Sequence, residues 1–175
     1  NLRVSLTAAC NYACTYCVPD GKRLMKAHNE LPAPKLLKAV KLLQQATGID
    51  KVRITGGEPL VTPKFDDFLL GVMSMGLRDV SMTTNGQLLM SKKDVIAESG
   101  LKRLNISLDT LNPLRFKQIA RGGDLETVLK GIDAMLALGI KLKINMVPMR
   151  SQNHSDILSM LDFCFERGIE LRYIE

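Results

Sequence analysis

The run Gly48-Ile49-Asp50-Lys51-Val52-Arg53-Ile54-Thr55-Gly56-Gly57-Glu58-Pro59 holds a complete structural unit. Gly48 closes a helical pattern, Ile49 is the apolar residue that follows, and Lys51 to Thr55 alternates polar with apolar until a Gly-Gly turn stops it. The same unit begins again at Gly76-Leu77, Gly100-Leu101, Gly139-Ile140 and Gly168-Ile169. Spacings of about 24 to 39 residues suit repeated α/β units. With an opening strand over Leu2 to Leu6, the chain reads as six strands with five helical connections, a right-handed parallel succession. The intervening helices show apolar periodicity at Leu36, Val40 and Leu43; Phe65, Phe68, Leu69 and Val72; Val128, Ile132 and Met135; and Ile157, Leu158 and Leu161. Thr62-Pro63 and Asn112-Pro113 read as helix starts, and Ser91 with Asp94 as a capping box.

Each strand alternates, although parallel strands covered on both faces normally read as unbroken apolar runs. Arg3, Ser5 and Thr7, Arg53 and Thr55, Ser81 and Thr83, Asn105 and Ser107, Lys143 and Asn145, and Arg172 share the polar parity. Val4, Leu6, Val52, Ile54, Val80, Met82, Leu104, Ile106, Leu142 and Ile144 share the other, matching the apolar helix stripes. Two architectures give this pattern: a sheet with one solvated face, or a curled, open barrel with a polar interior. Exposed parallel faces are rare and six twisted strands curl, so the expected fold is α/β, a partial (β/α)6 TIM-type barrel.

Cys10, Cys14 and Cys17 put three thiols into eight residues just after the first strand. Thiolates at this density suit iron-sulfur clusters, zinc or copper(I), and closed structural sites of the first two kinds take four protein ligands. Cys164, the other cysteine, sits far along the chain among Leu161 and Phe165 at helical spacing and reads as a packed core residue. The simplest reading is a 4Fe-4S cluster with one iron left for a non-protein ligand. A zinc knot and an electron-transfer cluster compete with it, and both normally recruit a fourth cysteine. Clustered cysteines argue against a disulfide framework and for a reducing, cytoplasmic setting. No apolar run approaches the ~18 residues of a membrane span. A net charge of +6 favours an anionic partner, but the charges are spread rather than blocked, so neither nucleic acid nor membrane is expected as a partner.

The CX3CX2C spacing with Tyr16 before the last cysteine resembles the signature of the radical S-adenosylmethionine (SAM) superfamily. Arg53-Ile54-Thr55-Gly56-Gly57-Glu58-Pro59 resembles the superfamily segment that meets the SAM amino group. Asn105-Ile106-Ser107-Leu108-Asp109 resembles the fourth-strand segment that meets the SAM sugar and carboxylate. Together with Thr83-Thr84-Asn85-Gly86, Arg121-Gly122-Gly123, Lys143-Ile144-Asn145 and Leu171-Arg172-Tyr173-Ile174-Glu175, these motifs look like the GTP 3′,8-cyclase family of molybdenum cofactor biosynthesis. The resemblance implies that Cys10, Cys14 and Cys17 hold the catalytic 4Fe-4S cluster, and that Tyr16, Gly56, Gly57, Glu58, Asn105 and Ser107 bind SAM. It further implies that Arg3, Arg53, Thr83 and Lys143 bind GTP, which a lyase of this kind cyclises to (8S)-3′,8-cyclo-7,8-dihydroguanosine 5′-triphosphate, and that a one-electron reductant protein is a partner. Those four positions fall on the polar parity, where guanidinium and ammonium groups suit a triphosphate.

Residues 1–175 read as one radical SAM core domain ending after the sixth strand. Cyclases of the family continue into a C-terminal region with a second cysteine triplet, which is absent here. The stretch alone is expected to hold the first cluster and SAM without turning GTP over. A peptide-modifying radical SAM maturase is the alternative, because it shares the triplet and the Gly-Gly-Glu-Pro segment, but it does not require Arg and Lys inside the barrel. A non-enzymatic iron-sulfur protein is the reading from a different class.

Overall fold

The computed structural model describes residues 1–23 and 29–175. Its elements run β1 (Leu2–Ser5), α1 (Ala33–Thr47), β2 (Lys51–Thr55), α2 (Phe65–Met73), β3 (Asp79–Thr84), α3 (Lys93–Ser99), β4 (Arg103–Ser107), α4 (Pro113–Ala120), α5 (Leu125–Ala137), β5 (Lys141–Met146), α6 (Ile157–Glu166) and β6 (Glu170–Tyr173). The strands form one sheet in the order β1-β2-β3-β4-β5-β6, every neighbouring pair parallel. β1 and β6 do not meet, so the fold is an α/β partial barrel open along one side.

The repeated glycines explain how each helix hands over to a strand. Gly48, Gly76, Gly100, Gly139 and Gly168 all have φ between 64° and 73°, a left-handed conformation that costs other residues about 1–2 kcal/mol. The apolar parity behaves as expected. Val52, Ile54, Met82, Leu104, Ile106 and Ile144 are sealed beneath the helices with Phe65, Phe68, Leu69, Val72, Val128, Ile132 and Met135. Among the described residues, no helix is long and apolar enough to cross a membrane.

Local readings differ from the structure in five places. Thr62 does not cap α2 through its side chain; it follows a short 3-10 turn over Pro59–Val61, and its backbone carbonyl accepts from Phe65 N. Ser91 makes no capping box, because its hydroxyl donates back to Leu88 O and the helix starts at Lys93. The connection from β4 to β5 holds two helices: Arg121 and Gly123 turn left-handed, and Asp124 then caps α5 by accepting from Thr127 N at 2.8 Å. On α6 the buried side chains are Met160 and Cys164, while Leu158 and Leu161 face outward with Phe165. Leu43 of α1 is likewise exposed, and Ala33 and Val40 carry that helix's buried face. Asn112 does cap α4, accepting from both Leu114 N and Arg115 N at 3.0 Å.

Candidate functional site

The three clustered cysteines occupy a loop between β1 and the helical layer that is pinned on both sides by backbone. Ala13 N donates to Ala120 O and Thr15 N to Ile119 O, both at 3.0 Å, fastening the loop to the end of α4. Gly57 N donates to Thr7 O at 2.7 Å and Glu58 N to Ala9 O at 2.8 Å, fastening it to the end of β2. A Cβ on Gly57 would stand 2.5 Å from Ala8 O and closer still to Ala9 O. The Gly-Gly pair therefore lets two pieces of this chain approach each other closely.

Cys10 and Cys14 are half-buried and Cys17 is exposed. Burial pushes the Cys14 thiol up to about 12, reinforced by Asp109 and the charges of the other two thiols. Cys10 rises for the same leading reason, opposed by the Tyr12 N–H that points at its sulfur from 3.4 Å. Among the described residues, no three His, Cys, Asp or Glu side chains close around a single ion. Cys164 lies buried in α6.

Glu58, which the resemblance places among the SAM-binding residues, has its carboxylate engaged within the chain. Its carboxylate is 1% exposed and already accepts from Leu60 N at 3.0 Å, Thr84 Oγ1 at 2.7 Å and Asn85 N at 2.7 Å. Burial raises it to about 7 despite these three donors. Its effect on the thiol loop runs through Asn85, whose amide donates to Asn11 Oδ1 at 2.7 Å. Tyr16 is tied to the segment that follows β4: its hydroxyl donates to Asp109 Oδ2 at 2.9 Å, and Val147 N donates to Asp109 Oδ1 at 2.9 Å. Burial raises both Tyr16 and Asp109 above their usual ranges.

The polar parity faces a cavity of about 720 Å³ inside the sheet's curl. Arg3, Arg53, Thr83, Asn105, Ser107 and Tyr16 all line it, as does Arg172. The strand register sorts the inner face into bands. Arg3, Arg53 and Ser81 align near one end, with Arg103 beside Lys141 across the sheet. Ser5, Thr55, Thr83 and Asn105 follow, leading to Lys143 and Glu170, and then come Ser107, Asn145 and Arg172. Arg3, Arg53, Arg103 and Lys141 thus gather toward the strand N-termini, while hydroxyls and amides, with Arg172 among them, lie nearer the thiol loop.

Two carboxylates missed in the sequence organise these bases. Asp79 Oδ2 accepts from Arg53 Nη2 at 2.7 Å and Arg103 Nη2 at 2.5 Å. Burial opposes its ionisation, but the two guanidiniums outweigh that and hold it below the usual carboxylate range. Arg103 Nε is buried and has no partner among the described residues. Carrying the polar parity two residues back along β3 and β4 would have found both Asp79 and Arg103. The other carboxylate, Glu170, is hydrogen-bonded by Lys143 and Arg172. Lys143, alone of the four expected GTP contacts, does not line the cavity; it lines a separate groove together with Glu170, to which its ammonium is bonded. Lys51 is the first residue of β2.

A thiol triplet at the end of the first strand, a Gly-Gly-Glu-Pro lock at the end of the second and a polar barrel interior define an α/β barrel built to carry a cluster and a bound nucleotide-like cofactor. The chain belongs to the radical SAM superfamily, whose sequence profile matches residues 4–164. It is 39% identical over 176 residues to a protein of Alkaliphilus oremlandii named GTP 3′,8-cyclase, covering 99% of this chain and 55% of that one. The protein of the same name from Aliarcobacter butzleri is 43% identical over 176 residues, with 99% and 54% coverage. The chain thus spans about half the length of the curated relatives it matches. Among solved structures, Streptococcus suis SuiB bound to S-adenosylmethionine superposes with a TM-score of 0.78 at 24% identity, covering 98% of this chain and 37% of SuiB. That likeness is one of fold.

The residues present fit the superfamily's cofactors, a 4Fe-4S cluster and SAM. One thiolate per iron needs three sulfurs spread along a loop rather than converged on a single ion. The half-buried thiols that repel one another's charge are the donor set an iron cluster relieves. Tyr16 lines both the small void against Cys14 and the large cavity, so the loop and the polar interior share a wall.

Proposed function

We propose that this chain is the cluster- and SAM-binding core of a GTP 3′,8-cyclase-type lyase in molybdenum cofactor biosynthesis. In this reading Cys10, Cys14 and Cys17 hold the cluster, Tyr16, Gly56, Gly57, Asn105 and Ser107 contact SAM, and Arg3, Arg53, Thr83 and Lys143 bind GTP. When bound, the reduced cluster and SAM supply a 5′-deoxyadenosyl radical able to take a ribose hydrogen. The chain's own residues position the partners and exclude water. Arg3 and Arg53 present guanidinium forks to phosphates, Thr83 offers a hydroxyl beside them, and the Tyr16 ring walls the cavity against the thiol loop. Glu58 acts from behind, holding Asn85 and the end of β2 in place.

The observation that carries this reading is the single cavity that Tyr16 and Ser107 share with Arg3, Arg53 and Thr83. Bases inside the barrel suit a triphosphate, and no feature of the interior calls for a peptide instead. A one-electron reductant protein and a reducing, cytoplasmic setting follow from the cluster chemistry, and the inward-facing bases leave no need for a nucleic acid or membrane partner. The test is anaerobic reconstitution with iron, sulfide, SAM and dithionite, followed by GTP binding to the longest natural form of the protein. Formation of 5′-deoxyadenosine above a Cys14→Ala control is expected. Arg53→Ala is expected to weaken GTP binding by about 1.5–3 kcal/mol, the worth of a charged hydrogen bond. Equal affinity in both proteins would refute the GTP assignment.

A further inference from the structure

Lys143 Nζ lies 2.7 Å from Glu170 Oε1 and 2.6 Å from Oε2, and Arg172 Nε donates to the same Oε1 at 3.0 Å. Glu170 pairs in register with Lys143 across β5 and β6, so both side chains stand on the inner face. The placement of Lys143 is anomalous among its neighbours. Asn105, its register partner on β4, and Asn145, two residues along β5, both line the large cavity, whereas the Lys143 ammonium is drawn aside onto Glu170.

The two internal carboxylates differ in how firmly they are held. Asp79 is gripped by two guanidiniums and its side chain is 22% exposed. The Glu170 side chain is 49% exposed and sits at the start of an edge strand. Lys143 and then Arg172 hold its carboxyl below the usual range, so it is charged at neutral pH. Ion pairs open to solvent contribute little and exchange readily, whereas a polyphosphate brings several charges to the same cations.

We propose that Glu170 is a displaceable internal anion, covering Lys143 and Arg172 until the phosphates of a nucleotide take its place, and that it is a specificity-determining residue of the cavity. This rests on the nucleotide reading given above. Glu170 releases Lys143, whose ammonium then turns toward Asn105 and Asn145, and Arg172 keeps its place on the cavity wall with a freed edge. A ligand carrying one charge does not replace both contacts; one carrying three or four does.

The test measures binding of GTP and of inorganic tripolyphosphate to the reconstituted, longest natural form of the protein and to Glu170→Gln, with and without Lys143→Ala. Glu170→Gln should bind both probes about two- to tenfold more tightly at low salt, and the gain should shrink as salt screens the competing charge. It should also shrink when Lys143 is Ala, which a purely structural role for Glu170 would not produce. If wild type binds the probes but Glu170→Gln binds them equally or more weakly, the displaceable-anion role is overturned while the nucleotide reading stands. A gain that persists in full without Lys143 overturns it as well. If wild type binds neither probe, the nucleotide reading fails and this proposal with it.

Discussion

Tyr16 Oη donates to Asp109 Oδ2 at 2.9 Å, joining the residue before the last clustered thiol to the segment that follows β4. Asp109 is 8% exposed, so its carboxylate depends on Tyr16 and Val147 N for partners. Tyr16→Phe should cost about 1–3 kcal/mol, the penalty for stranding a buried acceptor, while keeping the aromatic wall of the cavity. Asp109→Asn should cost less, because the tyrosine hydroxyl can reverse and accept from the amide. Denaturant unfolding of the three proteins checks the order.

Glu58 should give the protein a measurable pH dependence. Its carboxyl titrates near 7 when folded and at the usual 4.5 when unfolded. Between those values the unfolded chain has released a proton that the folded chain still holds, so stability falls as pH rises from about 4.5 to 7 and then levels off. The contribution lost is about 3 kcal/mol. In Glu58→Gln this slope should vanish and stability should be lower throughout, since the amide NH2 would face one of the three donors. Denaturation midpoints across pH 4 to 8 decide the matter.

Gly57→Ala forces a methyl group against two backbone oxygens of the thiol loop. It should destabilise the fold by at least about 1–3 kcal/mol and reduce iron bound per chain after reconstitution. Gly48→Ala has open space around the new Cβ but a φ of 67°, so it should cost about 1–2 kcal/mol without changing iron content. Equal iron loading in wild type and Gly57→Ala would mean that the close approach does not shape the cluster loop.

On α6, Met160→Ala should cost about 2–5 kcal/mol, as core truncations do. Leu158→Ala should change stability by less than about 0.5 kcal/mol, because that side chain is 71% exposed. Chemical denaturation of the pair tests which face of the helix is inward.

The reason α6 was misread also shows what sequence could and could not disclose. Ile157, Leu158, Met160, Leu161, Phe163, Cys164 and Phe165 place apolar groups nearly all round the helix, so periodicity has no unique face to select. The strands were legible because each one alternates and because a glycine takes the left-handed turn shortly before each of β2 to β6. Arg3, Arg53 and Thr83 could be placed in the interior from parity alone. The turn of Lys143 onto Glu170 and the saturation of Glu58 by Thr84, Leu60 and Asn85 could not, since each depends on which donors other strands bring within reach. Ser91 failed as a cap for a similar reason: its hydroxyl had a nearer carbonyl at Leu88.

Because each strand lies beside the one before it in the chain, the barrel has an inherent order of assembly. The backbone bonds that fasten the thiol loop are all made by residues up to Ala120, whereas Glu170 and Arg172 belong to the last strand. The backbone partners of the thiol loop are therefore synthesised about fifty residues before the strand that carries Glu170 and Arg172. Synthesis order thus places the anchors of the cysteine segment ahead of the charges on the edge strand.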